Sequence, residues 1–202
     1  MKASSSSPLS LNVLILGPQG SGKGTQAKRI SAEYGIPHVA TGDMFRDAIA
    51  QGTPLGLRIK PIYDAGELVP DELTVSLIRE RLEKDDARGG SVLDGFPRNA
   101  AQADALDGLL DELGRPLDIV LELQVPDEIC IERILKRAGE EGRADDTPDS
   151  IARRLDIYHR ETAPLIEHYL ATGKVVGIHG AGSVDEVWAE IQDALEHVQV
   201  RS

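Results

Sequence analysis

At 202 residues, with 41% hydrophobic and 28% charged residues, the chain is the size of one well-packed domain carrying small insertions. Its formal net charge of −12 excludes a general nucleic-acid or anionic-membrane surface, because phosphate-rich partners need a basic footprint. A single cysteine, Cys130, excludes an intramolecular disulfide and a cysteine-cluster zinc site, and no apolar run approaches the ~18 residues of a membrane span.

Residues 1–9, a serine-rich stretch with one lysine, read as a loose tail. The apolar run behind them is too short for a signal-peptide core, so the expected location is the cytoplasm. Leu11–Leu16 reads as a strand running into a glycine loop and a helix over 22–33. Pro37–Ala40 reads as a second strand, followed by helices near 43–51, 55–65 and 71–85. In the last of these, Val75, Ile78 and Leu82 share one face while Arg79, Glu80, Glu83 and Lys84 occupy the other. Ser91–Leu93 and Ile119–Val125 are strands flanking a helix over 100–113. Helices near 127–138, 150–159 and 164–171 precede a last strand, Val175–Ile178, and a last helix over 185–197. Near-continuous apolar strands alternating with helices predict a doubly wound α/β fold with a five-stranded parallel sheet. Ligands of such folds bind beyond the carboxyl ends of the strands. Residues 41–69 and 138–146 read as insertions into this frame.

The loop Gly17-Pro18-Gln19-Gly20-Ser21-Gly22-Lys23-Gly24-Thr25 sits between strand and helix, the context a phosphate-binding loop requires. Its glycines let successive N–H groups turn inward, and the helix adds the positive end of its dipole. Gly20, Ser21, Gly22, Lys23, Gly24 and Thr25 are the expected phosphate ligands, with Lys23 reaching the β- and γ-phosphates. Gly24 stands where many such loops carry the magnesium-binding hydroxyl, which argues against a GTPase switch.

The form read from Gly17 through Gln26 resembles the nucleoside monophosphate kinases, and the adenylate kinase family in particular. Four further segments match in the same order: Thr41 to Arg46, Gly66 to Asp71, Leu93 to Arg98, and the arginine series around 133–154. The resemblance therefore covers nearly the whole chain. It implies ATP, AMP and ADP as ligands, magnesium carried with ATP, and a monomer. Phosphoryl transfer needs two polyanions brought into line with their charge neutralised, so positioned cations should dominate the site. By resemblance Arg46 and Arg98 grip the acceptor phosphate, Arg133 and Arg137 the ATP phosphates, and Arg143 and Arg154 the phosphates between donor and acceptor. Arg153 is expected to be a surface neighbour, and Asp145 and Asp146 to orient these guanidiniums or act as a lid hinge. Placement at a strand end and the resemblance together make Asp94 the carboxylate that holds the magnesium water shell.

The same likeness makes Gly95, Phe96, Pro97 and Arg98 a turn at the AMP site, with a cis Phe96–Pro97 bond. Thr41 and Gln102 match the adenine contacts of the family, where pyrimidine kinases usually carry alanine and asparagine. Asn99 departs toward the pyrimidine branch. Backbone groups of Glu67, Leu68 and Val69 are implied to close over the AMP base, and Gly182 to hold the ATP base. Only residues 138–142 separate Arg137 from Arg143, which implies a short lid without zinc ligands, with Gly139 and Gly142 as flexible points. The alternatives are a UMP/CMP kinase on this scaffold and, from a different class, a nucleotide-binding regulator that has lost catalysis.

Overall fold

The structure, a computed structural model, describes residues 10–141 and 146–199. Five strands, β1 (Leu11–Leu16), β2 (His38–Ala40), β3 (Gly90–Asp94), β4 (Ile119–Gln124) and β5 (Val175–His179), form one parallel sheet in the order β2-β3-β1-β4-β5. The expected doubly wound α/β fold is the observed one. β2 begins one residue later than the apolar pattern suggested. Pro37 has no N–H to give the ladder, although its carbonyl accepts from Val92 N at 2.9 Å.

Alternation along each strand divides the core into two layers. Val13 and Ile15 of β1 face helices α1 (Lys23–Tyr34) and α9 (Val184–Gln199), packing with Ala27, Ile30, Ile191 and Leu195. Leu14 and Leu16 point the other way, toward α4 (Asp71–Leu82), α5 (Ala100–Glu112) and α8 (Leu165–Leu170), and meet Ile78, Leu106, Leu110 and Tyr169. Each such side chain contributes about 1.5–3 kcal/mol by leaving water, which is why β1 reads as unbroken apolar sequence.

Two small clusters stand apart from the sheet. Phe45, Ile59, Tyr63 and Val69 form the private core of the segment built from α2 (Thr41–Ala50) and α3 (Pro54–Asp64). The two helices close on each other at Gly56, where a Cβ would stand 2.0 Å from the Ala48 carbonyl oxygen. Ile134, Ile151 and Leu155 join α6 (Asp127–Glu141) to α7 (Pro148–Ile157). Cores this small give these parts less local stability than the sheet. α6 runs through Gly139, which is helical rather than a loop point; one helical glycine costs only about 1 kcal/mol against alanine. Gly142, Arg143 and Asp145 lie outside the described residues, as do residues 1–9.

After α7 the chain widens into a π turn, Tyr158–Thr162, in which Ala163 N donates to Tyr158 O at 2.8 Å. Such bulges re-aim side chains. Here Thr162 Oγ1 is directed onto the Arg98 carbonyl at 2.7 Å.

Candidate functional site

A cleft of about 430 Å³ opens at the carboxyl end of β1 and β3, between the glycine loop, the α2–α3 segment and the α6–α7 pair. A larger cavity, about 640 Å³, lies by Lys174, Glu190 and His197, but has neither a glycine loop nor an arginine in its lining. The chemistry converges on the smaller one.

The floor of the cleft is the loop after β1. Gly20 has φ +85°, and a Cβ there would sit 2.4 Å from the Cys130 carbonyl oxygen, so α6 packs where only glycine fits. α1 starts at Lys23 without a side-chain cap, so its first N–H groups form a positive helix end at the cleft. Ser21 Oγ is buried without a hydrogen-bond partner. Lys23 Nζ donates to the Gly17 and Pro18 carbonyls at 2.7 and 2.8 Å. Burial pushes its pKa down, against the attraction of Asp94.

Asp94 ends β3 facing the cleft, with His38 Nε2 at 3.3 Å from Oδ2. Burial works to raise its pKa, but the His38 hydrogen bond, the Lys23 charge and the Arg98 charge together hold it below the usual value. Among the described residues no group of three or more His, Cys, Asp and Glu could hold a metal. A lone carboxylate suits a hard cation that keeps most of its water and arrives on a phosphate chain, as magnesium does.

Four arginines project into the cleft from different elements. Arg98, on the turn after β3, donates from Nε to the Gly95 carbonyl at 2.7 Å. Its pKa is lowered by burial and by the charges of Arg154 and Arg46, against the pull of Tyr63 and Asp94. Clustered guanidiniums that repel one another mark a place for an anion. Arg46 donates to the Tyr63 hydroxyl at 2.6 Å and pairs with Asp43. Arg137 and Arg154 meet on Asp146, Arg137 at 2.6 and 3.2 Å and Arg154 at 3.2 Å. Arg154 also lies 5.2 Å from the Tyr63 ring centroid and donates to the Tyr63 carbonyl at 3.2 Å.

A fifth, Arg133, braces the loop after β5, donating to the carbonyls of Gly180, Ala181 and Gly182 at 3.0, 3.3 and 3.4 Å. Thr41 is buried at the start of α2, its hydroxyl donating to the Gly95 carbonyl at 2.8 Å. Gln102 is buried one turn into α5 and lines the same wall. Glu67, Leu68 and Val69 line the opposite rim, where Glu67 pairs with Arg153 of α7. Arg153 is thus a partly exposed tie between two walls of the cleft.

The cleft therefore brings together Gly20, Gly22, Lys23, Gly24 and Thr25 with Thr41, Arg46, Asp94 and Arg98, and it adds Arg133, Arg137 and Arg154. Three of the sequence-derived residues stand behind it or beyond its rim. Ser21 and Phe96 are packed beneath, and Gly182 meets it only through Arg133. The Phe96–Pro97 bond is cis. Tyr63, His38 and Thr162 also line the cleft, although the sequence did not single them out, and Asp71, the last residue of the 66–71 segment, accepts from Gln102 at 2.7 Å. Tyr63 is one apolar-face residue among several on α3, and nothing in its spacing foretells contact with two arginines from separate elements.

A family model described as "Adenylate kinase" matches residues 15–174. The chain is 49% identical over 186 residues to an adenylate kinase of Bifidobacterium longum (strain NCC 2705), which covers 92% of this chain and 100% of that protein. It is 52% identical over 186 residues to an adenylate kinase of Maricaulis maris (strain MCS10), at 92% and 99% coverage. A third relative, an adenylate kinase of Stenotrophomonas maltophilia (strain K279a), is 46% identical over 186 residues, at 92% and 100% coverage.

Proposed function

The chain belongs to the adenylate kinase family, and on that premise we propose that it moves the terminal phosphoryl group of ATP onto AMP, reversibly, giving two ADP. The observation that carries this reading is the convergence of Arg46, Arg98, Arg137 and Arg154 with Lys23 on one cleft beside a helix N-terminus. Such a site binds two polyanions at once, and neither a single-nucleotide binder nor a small-molecule kinase needs so many cations.

The donor phosphates lie along Gly20 to Thr25, with Lys23 leaving its loop carbonyls for the β- and γ-oxygens. Arg137 and Arg154, with Arg143, neutralise the transferring group, exchanging their carboxylate partner for phosphate. Arg46 and Arg98 hold the phosphate of AMP in line with it. Magnesium, held through water by Asp94, would offset further charge on the donor phosphates. No proton-transfer residue of special pKa is called for, since positioning and charge neutralisation lower the barrier.

Thr41 and Gln102 read the AMP base, backbone groups of Glu67, Leu68 and Val69 close over it, and the loop at Gly182, braced by Arg133, borders the ATP base. Residues 41–69 serve as the AMP-binding segment and residues 138–146, without zinc, as a short lid. The small separate core of residues 41–69 and the small cluster joining α6 to α7 suit closure over the substrates, which excludes water. Asn99, shared with the pyrimidine branch, is accounted for as the N-cap of α5, accepting from Gln102 N at 2.9 Å. No helix among the described residues is long and apolar enough to cross a membrane. We read the enzyme as a cytoplasmic monomer without nucleic-acid partners.

ADP formation from Mg-ATP with AMP, CMP or UMP as sole acceptor tests this, beside a Lys23→Ala control. Rapid turnover with AMP, lost in the control, is expected. Preference for CMP or UMP moves the protein to the pyrimidine branch, and no turnover with any of them leaves a binding protein.

A further inference from the structure

Gln102 is 1% exposed, and its carboxamide is held at both ends by groups that tolerate one orientation only. Oε1 accepts from the backbone N–H of Arg98 at 2.8 Å, and that partner can only donate. Nε2 donates to Asp71 Oδ1 at 2.7 Å, and an ionised carboxylate can only accept. Asn99 Nδ2 donates to the same Asp71 oxygen at 3.0 Å and holds it in place. Rotating the amide by half a turn would set oxygen against carboxylate and N–H against N–H. Each end keeps one further hydrogen-bonding position, a second lone pair on Oε1 and a second hydrogen on Nε2.

We propose that Asp71, through this lock on Gln102, is a specificity-determining positioning residue that makes the acceptor site read a 6-amino purine and reject a 6-oxo purine. The inference rests on the reading of Gln102 as a base contact. An adenine edge offers a donor at its 6-amino group and an acceptor at N1, matching Oε1 and Nε2 as they are held. A hypoxanthine edge offers an acceptor at O6 and a donor at N1, so both contacts become like against like. A freely turning amide would serve either base equally well, and discrimination therefore depends on what prevents the turn.

The test compares AMP with IMP as acceptor, at saturating Mg-ATP, for the wild type, Asp71→Asn and Asp71→Leu. The carboxamide introduced by Asp71→Asn can accept or donate, which frees the Nε2 end of the Gln102 amide and leaves only the Arg98 N–H to hold its orientation, while Asp71→Leu removes the acceptor altogether. Hydrogen bonds to charged groups are worth enough that the ratio of kcat/KM for AMP over IMP should fall about tenfold to a hundredfold in both variants. The fall should come from a raised KM for AMP and improved use of IMP, with the KM for ATP unchanged. Glu72→Gln, one residue on and exposed, removes the same charge from the start of α4 and should leave the ratio at its wild-type value. An unchanged ratio in both Asp71 variants, or a parallel fall in kcat with both acceptors, overturns the proposal. Gln102→Ala separates this from failure of the underlying reading. If it leaves the ratio intact, Gln102 is not the base contact. If it abolishes the ratio while the Asp71 variants do not, only the lock is lost.

Discussion

Asp146 is the carboxylate on which the α6–α7 side of the cleft is hung. Its side chain has no exposed surface, and Arg137, Arg154 and Gln19 all donate to it, the last at 3.1 Å. Asp146→Ala removes the shared acceptor and leaves two guanidiniums facing each other. Removing one partner of a fully buried ion pair costs about 3–5 kcal/mol, and exposed pairs are worth at most about 1 kcal/mol. Arg137 keeps 27% of its side-chain surface and Arg154 11%, so water recovers part of the loss. The expected destabilisation is about 2–3 kcal/mol, between those limits. At about 2–4 °C per kcal/mol for a chain of this length, the melting temperature falls by roughly 4–12 °C. A nucleotide brings its own negative charge to the same arginines, so ATP should raise the melting temperature of the variant more than that of the wild type. Calorimetric melts with and without ATP read both effects. A ligand-free melting temperature within a degree of the wild type, or an equal gain on ATP, would refute this account of Asp146.

Further outcomes follow from the same geometry. Lys23→Ala should lower kcat by roughly a hundredfold to a thousandfold, as for loss of one positioned transition-state donor, with the fold retained by circular dichroism. Tyr63→Phe keeps the ring beneath Arg154 but removes the hydroxyl that holds Arg46, so the KM for AMP should rise roughly three- to tenfold in steady-state assays while that for ATP holds. Burial pushes the Cys130 thiol up to about 11, so iodoacetamide at pH 8 should label it only after unfolding, read by mass spectrometry. Asp94 is held below its ordinary 3.8, so it adds stability that is present above that pH and is lost as acid titrates it below. Asp94→Asn should therefore flatten the acid limb of the melting temperature plotted against pH, and an unchanged limb would remove Asp94 as its source.

What the sequence determined by itself is what local physics determines. Strand Leu11–Leu16 is legible because a parallel strand covered on both faces must be apolar at every position. The glycine loop is legible because backbone N–H groups can wrap a phosphate only where Cβ atoms are absent, and Gly20 beneath the Cys130 carbonyl is such a place. The arginines were legible as a set through resemblance, since each lies in a short stretch of recognisable pattern. Of their partners only Asp146 was, through the expectation that it orients these guanidiniums. Tyr63 joins Arg46 to Arg154, Asp146 joins Arg137 to Arg154, and Asp71 joins Asn99 to Gln102. The Tyr63–Arg154 and Asp71–Gln102 links cross between elements distant in the chain, and single residues of common types carry no local pattern that announces them. Only the tertiary structure decides such links, because hydrogen bonds and ion pairs of this kind are specified by where packing brings two helices together. The same holds for Gly139, whose place inside α6 reflects a helix that continues past a weak former.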